Sequence, residues 1–143
     1  MARSGRPPRI DPMKPIHRAT IHNDVSTFSV EQAKGEDINR PGPEAMTPLH
    51  IAADYGRLDF AKALLDAGVD IDPINAFGNN PLWVAIMRRR VKCPDGCMSR
   101  LLLDHGADPN RAEGLRTPLE LARIIAGFPE DLIELLRAKV RNI

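Results

Sequence analysis

Aromatic side chains are scarce in this sequence: one tryptophan, one tyrosine and four phenylalanines among 143 residues. A core drawn from this chain has to be built from Leu, Ile, Val and Ala, the material of helices packed through small and branched aliphatic faces. Cysteine is scarcer still, and Cys93 and Cys97 are too few for a disulfide framework. No stretch approaches the roughly 18 uninterrupted apolar residues that a membrane helix needs. The first thirteen residues, rich in Arg and Pro, hold no apolar run of the kind a secretory signal requires. A net charge of +1 gives no general drive toward nucleic acid or anionic membrane. These absences lead to the expectation of an intracellular, cytoplasmic protein with neither a membrane nor a specific nucleic-acid partner.

What is present is ordinary in bulk and patterned in detail. A hydrophobic fraction of 43% and a charged fraction of 27% suit one soluble domain. Charge is uneven along the chain. Residues 41–80 hold Arg57 and Lys62 against Glu44, Asp54, Asp59, Asp66, Asp70 and Asp72, whereas residues 81–110 carry five Lys/Arg against three acids. Internal repetition dominates everything else. Thr47-Pro48-Leu49-His50 is echoed by Asn80-Pro81-Leu82-Trp83 and by Thr117-Pro118-Leu119-Glu120, and the prolines lie 33 and 37 residues apart. A further 33 residues back from Pro48 stands Pro15, within Lys14-Pro15-Ile16-His17. A second echo keeps step: Gly35-Glu36-Asp37-Ile38-Asn39, Gly68-Val69-Asp70-Ile71-Asp72 and Gly106-Ala107-Asp108-Pro109-Asn110. Two signals at one period identify a repeat array.

Each unit has a local physical logic. Thr47 can cap a helix through its hydroxyl, and Pro48 suits the first helical position, where its missing N–H costs nothing. Leu49, Ala52 and Ala53 make a small apolar face, and Gly56 ends that helix. Leu58, Phe60, Ala61, Leu64 and Leu65 recur at helical spacing as a second amphipathic helix. Gly68 supplies the left-handed residue just past it, and the stretch from Asp70 to Gly78 predicts a turn-forming finger. One such pair cannot bury its own apolar face, so neighbours must stack.

The run Thr-Pro-Leu-His-Ile-Ala-Ala at 47–53, followed by Leu-Leu-Asp-Ala-Gly-Val-Asp at 64–70, resembles an ankyrin repeat. The resemblance covers about residues 14–140. It implies an all-α solenoid of antiparallel helix pairs with short β-hairpin-like fingers, and a concave face of fingers and first helices that binds partners. Units are expected at about 14–42, 43–75, 76–110 and 113–140 in one domain spanning 14–143, with residues 1–13 a disordered basic, Pro-rich tail. The first unit departs from the pattern at Lys14 and Thr20 and in the run His22-Asn23-Asp24, and the last has no Gly-Ala-Asp finger. Such polar terminal units close a solenoid against water, so a complete small monomeric array is expected.

The third unit is longer than the second: Pro48 to Gly68 is 20 residues, Pro81 to Gly106 is 25. The extra residues are placed between the two helices, in the basic segment from Arg88 to Cys97, as a surface loop. Two readings are weighed equally for it: a docking loop for an acidic protein surface, or cations that extend the first helix and favour its C-terminal dipole. Without interleaved aromatics a nucleic-acid patch is disfavoured. Cys93 and Cys97 lack the further ligands structural zinc needs, so two free thiols are expected, a reversible loop disulfide being the minor alternative.

Nothing assembles into an enzyme: there is no Gly-rich phosphate loop, and no nucleophile with a base. By the resemblance, His17 and His50 occupy a position that braces adjacent units. Trp83 stands at the same position, where packing between units is preferred over a binding hot spot. No cofactor and no metal are expected. By the resemblance, too, partner contacts fall on the finger residues Glu44, Met46, Phe77, Asn79, Leu115 and Arg116 and on the helix residues Asp54, Tyr55, Met87 and Arg88. Phe77, Tyr55 and Met87 would anchor, and Asp54, Glu44, Arg88 and Arg116 would orient. The function expected is a non-catalytic protein-interaction module. The alternative is an inhibitor or immunity protein that blocks a cognate toxin or enzyme.

Overall fold

The computed structural model describes residues 13–92 and 96–141. Among them eight α-helices follow in order: α1 (Pro15–Ile21), α2 (Val25–Ala33), α3 (Pro48–Tyr55), α4 (Leu58–Asp66), α5 (Pro81–Lys92), α6 (Cys97–Asp104), α7 (Pro118–Ile124) and α8 (Glu130–Arg141). The odd-numbered helices each start on proline, at a position whose N–H has no partner inside the helix. What precedes the proline decides the cap. Thr47 accepts from the His50 N–H at 3.4 Å and Thr117 from the Glu120 N–H at 3.1 Å, while Asn80 does the same for the Trp83 N–H at 3.0 Å. Lys14 has no such oxygen and makes no side-chain cap at the start of α1. The polar run that follows α1 ends it as expected, and Asp24 caps α2 through the Thr27 N–H at 3.1 Å.

Helices pair within each unit and stack between units. The first helices form one layer, α1 on α3 on α5 on α7, and the second helices another, α2 on α4 on α6 on α8. The core is a continuous aliphatic strip between the layers, running from Ile16 through Leu49, Leu64, Leu82, Ile86 and Leu102 to Leu132 and Leu136. Phe28 and Phe60 meet edge to face between α2 and α4, centroids 5.3 Å apart. This is an all-α ankyrin-type solenoid.

The fingers are hydrogen-bonded turns. Among the described residues no strand forms, and one isolated antiparallel bridge pairs Asn79 with Ala112. Consecutive units are stitched near the finger bases by one recurring position. Asn39 Oδ1 accepts from the Asp70 N–H at 2.9 Å, and one repeat later Asp72 Oδ1 accepts from the Asp108 N–H at 3.1 Å.

Two expectations about the third unit need correction. The segment from Arg88 does not begin a loop: α5 has 12 residues against 8 in α3 and continues to Lys92. Arg, Val and Lys without Gly or Pro continue a helix once it is nucleated, so the helix-extension reading holds for 88–92. Residues 93–95, including Cys93, lie outside the described residues, as do residues 1–12 of the expected tail. Cys97 is disulfide-bonded, where a free thiol was expected. It opens α6 directly after Gly96, whose left-handed backbone (φ 73°) turns the chain sharply at that point.

Candidate functional site

On the finger side of the stack, units two, three and four enclose a cleft of about 770 Å³. Its floor comes from α5 and α7 and its rim from the fingers. Nine of the ten partner-contact residues expected from the sequence line it: Glu44, Met46, Asp54, Phe77, Asn79, Met87, Arg88, Leu115 and Arg116. Asn75, Trp83, Val84 and Leu121 complete the lining.

Tyr55 is the exception: it is 37% exposed but does not line the cleft. Successive helical residues point about 100° apart, and Asp54 has taken the cleft-facing direction at this level of α3. In the next unit Arg88, one repeat after Tyr55, reaches back along the stack and pairs with Asp54 at 2.5 Å. That ion pair ties units two and three across the cleft wall.

Asn79 lines the cleft but works inside the stack. It is nearly buried, its carbonyl accepts from His50 Nε2 at 2.8 Å and its N–H donates to Asn75 Oδ1 at 3.1 Å. His50 completes the brace by accepting the Thr47 N–H on Nδ1 at 3.2 Å. His17 repeats the arrangement one unit earlier, accepting from the Lys14 N–H at 2.9 Å and placing Nε2 2.7 Å from the Arg40 carbonyl. Burial lowers the pKa of both, that of His50 to about 4, so each is a neutral hydrogen-bonding strut between units.

Trp83 occupies the same repeat position without the strut. Its ring is partly buried and packs on the core, and its Nε1 is buried with no hydrogen-bond partner. The packing preferred from the sequence is present, and the ring also lines the cleft.

The rim is fixed by contact between two fingers. The Gly78 carbonyl accepts from the Glu113 N–H at 3.0 Å and the Gly114 N–H at 3.1 Å. Gly78 adopts φ 81°, and a Cβ there would fall 2.4 Å from the Gly114 nitrogen. A side chain is therefore excluded on two counts. Phe77 and Leu115, each next in the chain to one of these glycines, line the cleft while 59% and 100% exposed, and Met87 does so at 50%. The side chains of Asn75, Val84 and Leu121 were not singled out from sequence because repeat arithmetic marks positions but not the curvature that turns neighbouring units toward one opening.

Among the described residues no group of three or more His, Cys, Asp or Glu could hold a metal ion, and no helix is long and apolar enough to cross a membrane. His105, the one histidine near Cys97 in sequence, is turned to the Leu101 carbonyl at 3.0 Å.

Two ankyrin-repeat family models match the chain, over residues 32–85 and 77–113. The mouse protein named cyclin-dependent kinase 4 inhibitor B is 35% identical over 98 residues, covering 65% of this chain and 68% of that protein. Its bovine counterpart is 37% identical over 92 residues, covering 61% of this chain and 63% of its own. The human ankyrin repeat and SOCS box protein 11 is 28% identical over 138 residues, 90% of this chain, and the chain spans only 41% of that relative. With the repeat pattern, the two-layered helix stack and these matches in agreement, this chain belongs to the ankyrin-repeat family.

Proposed function

We propose that this chain is a non-catalytic binding module that holds a protein partner in the cleft formed by the fingers and first helices of units two to four. The observation that carries the reading is the clustering of Phe77, Met87 and Leu115, three large apolar side chains left exposed around one concave opening. Apolar side chains gathered in this way, rimmed by charge, mark interaction sites on soluble proteins. Rigid bracing by His17 and His50 supports it too, since a preorganised surface loses little entropy on binding. An intracellular setting and a monomeric state belong to the same proposal.

A second reading, that binding blocks the partner's activity, is favoured by the likeness to proteins named as kinase inhibitors. The test begins with affinity capture from cells of the source organism, followed by titration of the purified partner. Phe77→Ala with Leu115→Ala should lower affinity by tenfold or more, on the order of 1.4 kcal/mol, with the helical melting curve unchanged. Tyr55→Ala, outside the cleft, should leave affinity unchanged. Unaltered binding by the double variant would overturn the cleft as the site. Assaying the partner's own activity with saturating chain then separates blocking from tethering.

A further inference from the structure

We infer that the cleft receives a short polarised segment of its partner, with a basic side chain over Glu44, an apolar residue and a hydrogen-bond acceptor over Trp83, and an acidic side chain over Arg116. The inference rests on the reading of the cleft as the binding surface and adds the chemistry of what enters it.

Three observations point the same way. The first is the orphan donor. Of the cleft-lining residues, Trp83 alone has a buried side-chain polar atom without a partner. An indole N–H can only donate, and leaving a buried donor unpaired is unfavourable. His17 and His50, at the equivalent position, each have a carbonyl from the neighbouring finger at ring nitrogen Nε2. Trp83 has none, and its indole lines the cleft, so a small rotation of the ring toward the opening brings the N–H to a ligand carbonyl or carboxylate.

The second is the order of charges along the stack. Glu44 stands on the turn before α3 and Arg116 on the finger before α7, both exposed, at opposite ends of the cleft. Between them Asp54 and Arg88 neutralise each other at 2.5 Å. The cleft therefore runs from negative through neutral to positive in the direction of the chain. A ligand of the opposite polarity is attracted end for end, and one laid the other way meets like charge at both ends.

The third is length. From the level of α3 to that of α7 is two interhelical steps of about 8–10 Å each. An extended segment rising about 3.3 Å per residue crosses that span in five or six residues. The apolar rim of Phe77, Met87 and Leu115 lies along it, at the exposures already given, and would cover the apolar residue in the middle.

A phage-displayed library of about seven random residues, long enough for that span, is the probe. Selection on the wild-type chain should enrich peptides in which a basic and an acidic residue bracket an apolar one. Trp83 is the chain's one tryptophan, so tryptophan-free versions of these peptides should shift its emission on titration. With fluorescein-labelled peptides followed by polarisation, Arg116→Glu should weaken binding about tenfold, and a peptide with its acid changed to lysine should restore it. Trp83→Phe, which keeps the packing ring and removes the donor, should weaken binding about two- to tenfold, the worth of one hydrogen bond. Melting curves confirm that both variants are folded.

Selected peptides without the charge pattern, or indifferent to Arg116→Glu and Trp83→Phe, would overturn the inference, as would a library yielding no binder. If such indifferent peptides still lose affinity to Phe77→Ala, only the polarised segment fails and the cleft survives as the site. If Phe77→Ala leaves them bound, the cleft reading fails with it.

Discussion

His50 shows how one side chain can couple stability to pH. Buried completely, with Nε2 facing the Asn79 carbonyl and Nδ1 accepting from Thr47, it has to remain neutral, because a proton on Nδ1 would face the Thr47 N–H donor to donor. Its pKa falls from 6.5 to about 4, chiefly by burial. The unfolded chain then takes up this proton more readily than the folded one. The His50 contribution is whole above pH 6.5, declines as pH falls through the window between 6.5 and 4, and levels off below. The loss over that window should be about 3 kcal/mol. His17, also lowered by burial, acts in the same direction. Denaturant midpoints at pH 7 and pH 4.5 should differ far less in His50→Asn than in the wild type. An equal pH dependence in the two would show that the strut is not the titrating group. The family resemblance implied that His17 and His50 were structural. It did not show that Trp83 would keep its place and lose its partner, since that depends on where the next finger's carbonyls come to lie.

Finger bases are joined by a position that the repeat writes as Asn39, Asp72 and Asn110. In the first case an amide oxygen accepts the next unit's N–H; in the second a carboxylate accepts the Asp108 N–H and also the Asn80 side-chain amide at 3.1 Å. Burial raises the pKa of Asp72, with the neighbouring Asp108 adding to the rise. A raised folded pKa means the ionised form is disfavoured in the fold at neutral pH. Asp72→Asn keeps an acceptor for the Asp108 N–H and removes the charge, so chemical denaturation at pH 7 should find it neutral or slightly stabilised. Asp72→Ala leaves both donors without their acceptor and should lose about 1–3 kcal/mol. A loss as large for Asn as for Ala would show that the carboxylate itself is required. At this scale the helix starts, the Gly-terminated second helices and the fingers were all legible in the chain. The extension of α5 to Lys92 was not, because counting extra residues between two markers does not say which helix absorbs them.

Among the described residues the main helix–helix contacts lie within a unit or between adjacent units, so stability is a sum of units and their interfaces. Among the described residues α8 stacks on α6 and α7. Leu136→Ala, at a fully buried site on α8, should cost about 2–5 kcal/mol. Hydrogen exchange should place that loss in α7 and α8 while protection in α3 and α4 remains; uniform loss along the chain would mean a single cooperative block. The sequence by itself determined the period, the caps and the composition of the core, because these follow from spacing and from side-chain chemistry within one or two turns. Nine of the thirteen residues that line the cleft were named only through the family resemblance. Only the tertiary structure decided that those residues share one opening, that Tyr55 is left outside it, that Asp54 and Arg88 cancel, and that the Trp83 N–H has no acceptor. Each of these depends on the angle and offset between stacked units, which the packing of many side chains sets together and no single repeat encodes.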